Sequence, residues 1–374
     1  MSYVYVNNAA ASWPKAPLVG QAVAAHIEGL PYHAGRSGFS APDIPGNCRQ
    51  LLADLLQVPD RERIILTPNA THALNIALQG FHWKPGGAVL TTAAEHNSVL
   101  RPLHYLAKKN RLTVHIAPVC REGRLEPEQW ETALRKTAPQ LAVFTHASNV
   151  TGAVNDAALL GRLAKQAGAA TLLDASQTLG LVPVLPDVWG IDMVAFTGHK
   201  YLLGPGGTGG LYLSPGLELE PVWVGGTGIQ SELAEMPPIL PSRFEAGTPN
   251  DAAFAGLAAA LSWNVRNPLD IAGLRQRTKR LALGLAEAGA SVIAVSPPGT
   301  PVVSFTLTNW NIEDAGDILH KSFHLICRTG LHCAPRIHTC LGTAPAGTVR
   351  FSLSRFTRDE DIDYCLAAIR QLQQ

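Results

Sequence analysis

Apolar runs that read as buried strands recur at regular intervals between residues 63 and 213, and stretches with helical spacing separate most of them. The strand runs are Arg63–Thr67, Ala88–Thr92, Leu112–Ile116, Leu141–Thr145, Thr171–Leu173, Val194–Phe196 and Leu211–Leu213. The intervening stretches include Ala73–Leu78, a segment ending at Lys109, Glu126–Lys136 and Ala157–Ala167. Strands that alternate with helices in this way form a mainly parallel sheet covered by helices on both faces. In such sheets ligands collect at the carboxyl ends of the strands. Those ends carry Thr71, His96, Asn149, Asp174, Gln177 and Lys200, and convergence on one pocket is a better account of six polar groups so placed than six separate caps.

Two of these ends carry chemistry of their own. Lys200 lies between two strand runs, in a loop that continues through Gly204-Pro205-Gly206-Gly207-Thr208-Gly209-Gly210. A lysine that forms a Schiff base needs a rigid base for its amine, and glycines let backbone approach a bulky cofactor. A surface lysine in a glycine-rich hairpin fits that stretch equally well. At Pro68-Asn69-Ala70-Thr71-His72 a strand passes through small residues into a helix, so free N–H groups and the positive helix end could hold a phosphate. Neither nucleotide-binding glycine pattern is present there, and a threonine N-cap accounts for the segment taken alone.

With 374 residues, 46% of them hydrophobic, the chain can build two domains around large interiors. A net charge of +1 gives no electrostatic case for nucleic acid or an anionic membrane. No apolar run is long enough to span a bilayer, and Met1–Val6 lacks a signal-peptide core, so a cytoplasmic location is expected. The six cysteines show no C-x-x-C spacing, which argues against zinc and against a disulfide framework. Near the N-terminus, Tyr3–Val6 reads as a short strand, Asn7–Ala11 as small residues a ligand could approach, and Leu18–Leu30 as a helix. Pro31–Phe39 reads as a substrate-side or subunit-contact loop, and Cys48–Leu56 has helical spacing. Beyond Gly247 the pattern becomes α+β, with helices at Ala252–Arg266, Leu274–Ala288, Ile312–Ser322 and Asp359–Leu372 and strands at Ser291–Val295 and Val302–Thr306. A large domain over 15–255 and a small one over 256–374 are expected, with residues 1–14 packing near the small one.

Several motifs together resemble pyridoxal-phosphate enzymes of fold type I, within the class V aminotransferase and cysteine desulfurase group. They are Thr197-Gly198-His199-Lys200, Asp174-Ala175-Ser176-Gln177, Ser148-Asn149-Val150-Thr151-Gly152, Glu95-His96 and Arg243–Asn250. Arg328-Thr329-Gly330-Leu331-His332-Cys333-Ala334 resembles the short active-site loop of the second subgroup of cysteine desulfurases, which includes selenocysteine-lyase-like proteins. The resemblance implies a mainly parallel sheet of the seven-stranded type with a smaller α+β domain.

It also implies a role for each residue. Lys200 would bind the pyridoxal 5'-phosphate cofactor as a Schiff base and shuttle a proton at the substrate α-carbon. Asp174 would keep the pyridine nitrogen protonated, making the ring an electron sink. Gln177 would meet the ring hydroxyl, His96 would lie flat on the ring face, and Asn149 would reach the ring oxygen or the substrate carboxylate. The phosphate would rest on Ala70 and Thr71 with Thr197 and His199 beside it, and Thr248 would reach the phosphate of a second subunit in a homodimer. Arg350 would grip the substrate carboxylate, with Arg328 near the same pocket. Cys333 would take sulfur from L-cysteine as a persulfide, releasing alanine, in a neighbourhood made partly positive by Arg328 and His332.

Other readings stay open on the same residues: a selenocysteine lyase, another class V aminotransferase or lyase on a small amino acid, and a cofactor-binding scaffold without catalysis. Three departures from the family pattern bear on the sulfur acceptor, which could be a protein. His72 has no evident role, the loop Pro335–Thr339 is unusually basic, and Gly226–Arg243 is short for the β-hairpin that many members carry there.

Overall fold

The computed structural model describes residues 3–30, 43–293, 295 and 297–374. The loop Pro31–Phe39 lies outside the described residues. In chain order the first half comprises β1 (Val4–Tyr5), α1 (Val19–Glu28), α2 (Ile44–Leu56), β2 (Ile64–Thr67), α3 (Ala70–Gly80), β3 (Ala88–Thr92), α4 (Asn97–Asn110), β4 (Thr113–Ala117), α5 (Pro127–Thr137), β5 (Leu141–Thr145), α6 (Ala157–Gln166), β6 (Ala170–Asp174) and α7 (Pro186–Trp189). The second half comprises β7 (Met193–Thr197), β8 (Gly209–Leu213), α8 (Asp251–Arg266), α9 (Ile271–Glu287), β9 (Ala290–Ile293), β10 (Val302–Leu307), α10 (Ile312–Lys321), β11 (Leu325–Ile326), β12 (Arg328–Gly330), α11 (Pro335–Leu341), β13 (Thr348–Ser352) and α12 (Asp359–Leu372).

The large sheet has seven strands in the order β2-β8-β7-β6-β5-β3-β4. All neighbours are parallel except β8, which runs antiparallel to both β2 and β7. Strands β5 and β7 are buried along their whole length, because helices cover both faces of the sheet. One face packs Trp130, Phe144, Phe196 and Leu257, and the other packs Leu74, Val143, Met193 and Leu211. Truncating one of these leucines to alanine would leave a cavity costing about 2–5 kcal/mol. Helix starts follow sequence signals: Asn69, Asp156 and Asp270 each accept a backbone N–H of the first turn of α3, α6 and α9.

The second sheet is antiparallel, in the order β12-β13-β10-β9, and its core gathers Leu281, Phe305, Phe351 and Ile369. The chain start joins this layer, since β1 pairs with β11 and Asn7 bridges to Ser352. Hydrogen bonds from Ser304 Oγ to the Val150 carbonyl (2.5 Å) and from Thr300 N to the Gly152 carbonyl (2.9 Å) tie this layer to the loop after β5. The segment after Cys333, read from sequence as a loop, is helix α11, with Pro335 in its first turn, where proline's missing N–H costs nothing. No named strand falls between residues 226 and 243 among the described residues.

Candidate active site

Strands β7 and β8 form a hairpin with Thr197 paired to Gly209, and Lys200 stands just beyond the end of β7. Gly209 sits where a Cβ would lie 2.7 Å from the Phe196 carbonyl and 2.8 Å from the Asn69 backbone, so only glycine lets β8 pass. Lys200 lines a cavity of about 220 Å³ at the carboxyl ends of the large sheet. Burial, reinforced by the charges of Arg350 and Arg328, lowers its amine to about 8 against the opposing pull of Asp174 and Cys333. Its neutral, nucleophilic form is therefore within reach near neutral pH.

The same cavity is lined by Ala70, Thr71, His96, Asn149, Asp174, Gln177, Thr197, His199 and Arg328. Ala9 and Ala10 also line it, from the small-residue segment read as open to a ligand. At one end lies the start of α3. The cap is Asn69, not Thr71: Asn69 Oδ1 accepts the His72 N–H at 2.9 Å, which leaves the N–H groups of Ala70 and Thr71 for an anion. Around that end are the hydroxyls of Thr71 and Thr197, the latter 2.8 Å from His199 Nδ1.

Ser98, which the motif reading passed over, belongs to the site. Its hydroxyl is 2.7 Å from Thr71 Oγ1 and 2.8 Å from His96 Nδ1, and its N–H donates to the same Nδ1 at 3.0 Å. A nitrogen that accepts from a backbone N–H carries no proton, so the neutral ring holds its proton on Nε2. Burial, then the charge of Lys200, keeps His96 neutral by lowering it to about 4. Beneath the cavity Glu95 is fully buried, and burial raises it to about 8. The pattern available to find Ser98 was its position two residues after the histidine that caps α4.

Asp174 closes β6 and accepts the Ser176 N–H at 2.9 Å. Gln177 Nε2 donates to the Ala9 carbonyl at 3.0 Å, and its Oε1 is buried without a partner among the described residues. Asn149 is placed differently from expectation in one respect: its amide nitrogen faces the His332 carbonyl at 2.8 Å. Arg350 is buried, donating to the Asn149 carbonyl at 2.8 Å and to Asn7 Oδ1 at 3.3 Å, while its Nε has no partner. It stands opposite Arg328 in the β12–β13 register, and burial, then Arg328, lowers its guanidinium to about 10. Neither arginine has an ion pair among the described residues, so two cations stand side by side, Arg328 lining the cavity and Arg350 buried behind it.

Cys333 lies beside the lysine cavity without lining it. Arg328 Nη2 donates to its Sγ at 2.9 Å, and the thiol borders an outer groove shared with Thr71, His96 and Ser98, which also line the lysine cavity. The expectation for His332 needs correction. Its imidazole is buried, 2.9 Å from Thr348 Oγ1, and burial, then Arg350, lowers it to about 2, so it stays neutral and the positive charge near the thiol comes from Arg328, Arg350 and Lys200. Cys48, Cys327 and Cys365 are pushed up by burial, as befits structural thiols, while Cys120 is half-buried and Cys340 exposed. Thr248 is exposed and does not line this chain's cavity. His72 stacks on Trp223, with ring centroids 5.7 Å apart. Among the described residues no group of three or more His, Cys, Asp or Glu is arranged to hold a metal ion.

The donors present fit pyridoxal phosphate. A buried amine of lowered basicity faces an aspartate at a strand end, a glutamine with an orphaned oxygen, and an anion-receptive helix start, all around one cavity.

Comparison with known proteins adds independent findings. Residues 5–365 match the Aminotransferase class-V family. A probable cysteine desulfurase of Methanothermobacter thermautotrophicus is 30% identical over 375 aligned positions, covering 96% of this chain and 92% of the relative. The apo structure of a cysteine desulfurase from Thermococcus onnurineus superposes with a TM-score of 0.91 at 28% identity, covering 99% of this chain and 94% of that one. The cysteine desulfurase CsdA of Escherichia coli superposes with a TM-score of 0.85 at 25% identity, covering 99% and 94% respectively.

Proposed function

From the finding that this chain belongs to the class-V aminotransferase family, as a pyridoxal-phosphate-dependent enzyme, we propose that it is a cysteine desulfurase. It converts L-cysteine to L-alanine and leaves the sulfur as a persulfide on Cys333. The observation that carries this is the thiol in the groove adjoining the lysine cavity, 2.9 Å from Nη2 of Arg328, a residue that lines that cavity. The Arg328 contact holds the sulfur in place, and a thiolate is the form that attacks sulfur.

Bound pyridoxal phosphate supplies the electron sink that lets the substrate's α-proton leave and its sulfur depart. Lys200, with its lowered basicity, would hold the cofactor's aldehyde carbon and would move a proton at the substrate α-carbon. Asp174 keeps the ring nitrogen protonated, and Gln177 has an unpartnered oxygen to offer the ring hydroxyl. The neutral His96 would pack on the ring face, with its proton on Nε2 as a donor there. The N–H groups of Ala70 and Thr71, with Thr197, His199 and Ser98, take the phosphate. Arg328 and Arg350, two cations without carboxylate partners among the described residues, receive the substrate carboxylate. The Cys333 sulfur forms a bond to the substrate sulfur as the carbon–sulfur bond breaks. The carbon keeps that electron pair and is protonated to the alanine methyl group, so cysteine and one thiol become alanine and one persulfide.

Thr248, exposed and outside its own cavity, reaches the phosphate of a second copy in a homodimer. Exposed Trp223, Val224, Ile27 and Leu30 are apolar surface that such an interface would cover. The persulfide then passes to an acceptor that approaches by the outer groove beside Cys333.

The test is Cys333→Ser. The variant should keep cofactor absorbance while losing alanine and sulfide release from cysteine. Normal release would remove the persulfide assignment. Running selenocysteine and other small amino acids beside cysteine distinguishes a selenium lyase or an aminotransferase.

A further inference from the structure

The loop that carries Cys333 is stitched to both layers of the molecule. From the large sheet, Asn149 Nδ2 donates to the His332 carbonyl at 2.8 Å, and the Asn97 N–H donates to the Cys333 carbonyl at 2.7 Å. From the second sheet, Thr348 Oγ1 lies 2.9 Å from His332 Nε2, and Arg328 Nη2 reaches the Cys333 sulfur at 2.9 Å. A main-chain carbonyl can only accept, so the Asn149 group facing it must be the amide nitrogen. Asn149 is itself held from behind, its own carbonyl accepting from Arg350 at 2.8 Å.

The backbone gives this clamping a purpose. His332 and Cys333 both lie in the left-handed region, with φ of 48° and 60°. Neither is glycine, and two successive side chains in that conformation persist only where surroundings over-determine them. The conformation turns the carbonyls of both residues onto the two asparagines, so the thiol and its tether are set together.

We propose that Asn149 is a positioning residue for the Cys333 thiol. Its side-chain amide is engaged by the thiol's loop, and the loop's docking on the large sheet decides where the sulfur points. Thr348 is the corresponding support from the second sheet, acting through the His332 ring. This rests on the proposed persulfide chemistry of Cys333.

Asn149→Asp keeps the shape of the side chain but sets an oxygen against the His332 carbonyl. In the holoenzyme its kcat for alanine release should fall by about tenfold or more, as expected for one buried carbonyl left unpaired. KM for cysteine should change by less than about threefold, and cofactor absorbance should be retained. Hydrogen exchange of the peptide spanning 328–336 should quicken while that of β5 stays unchanged. Thr348→Val should act in the same direction, and the double variant should lose less than the product of the two single losses, because both act through one loop. Unchanged kcat and unchanged loop exchange in Asn149→Asp would overturn the proposal. So would a loss of kcat accompanied by altered cofactor absorbance and an unaltered loop, which would put Asn149 at the ring instead. If Cys333→Ser keeps full activity, the persulfide reading fails, and loop exchange, which needs no turnover, still decides the clamp.

Discussion

A buried amine flanked by two guanidinium groups holds a proton poorly. Burial is the largest cause, Asp174 opposes it, and with Arg350 and Arg328 adding to burial the amine comes to about 8. The neutral amine is the form that adds to an aldehyde, so covalent uptake of pyridoxal phosphate by the apo-protein should rise with pH and level off above about pH 8. Stopped-flow absorbance across that range checks this. A rate still climbing through the ordinary lysine range near about pH 10 would contradict it. At this scale motif residues were legible in the sequence, because strand ends gather them: Thr71, His96, Asn149, Asp174, Gln177 and Lys200 all border one cavity. What each side chain does there was less legible. His332 reads as a source of charge and is in fact a buried neutral ring, held against Thr348 on β13 and near the charge of Arg350 on the same strand, neighbours that only the strand pairing supplies. Ser98 escaped notice because one hydroxyl carries no pattern until Thr71 and His96 are folded against it.

Among the elements, the pairing of β12 with β13 sets Arg328 opposite Arg350, and one glycine permits it. Gly347 has φ of 83°, and a Cβ there would lie 2.1 Å from the Gly330 carbonyl oxygen. Gly347→Ala should therefore cost stability by at least about 2 kcal/mol and lower activity, since the strands must part beside the two arginines. Gly216 has almost the same φ, 84°, with nothing within 4 Å, so Gly216→Ala should cost about 1 kcal/mol of backbone strain alone. Urea midpoints of the two variants make the comparison, and equal losses would refute it. Long periodic helices such as α9 and α12 were legible from spacing, because a repeating apolar stripe is a strong signal. Helix α11 was not, because seven residues give barely two turns of periodicity, although Pro335 at its start is a helix-opening residue. A threonine cap at Thr71 lies two residues past the actual cap of α3, because Asn69 and Thr71 are both good caps and only geometry separates them.

Over the whole molecule, the class of fold followed from the alternation of strands and helices, which demands a sheet covered on both faces. The strand order did not follow, because a sequence shows which segments are strands and not which neighbour each one finds. The antiparallel β8, returning the lysine loop between β2 and β7, is the feature that brings Asn69 and Thr197 to one end of the cavity. The proposed homodimer gives Thr248, exposed on the single chain, its role at the site of a second copy. Sedimentation should give twice the 39.8 kDa of one chain, and a stable monomer with full cofactor affinity would contradict the shared site. The central claim is the covalent capture of sulfur by the thiol beside the lysine cavity. Holoenzyme mixed with L-cysteine, quenched and digested for mass spectrometry, should show the peptide bearing Cys333 heavier by one sulfur atom, with alanine formed in step. Alanine formed while that peptide keeps its original mass, or extra sulfur found only on Cys340, would contradict it.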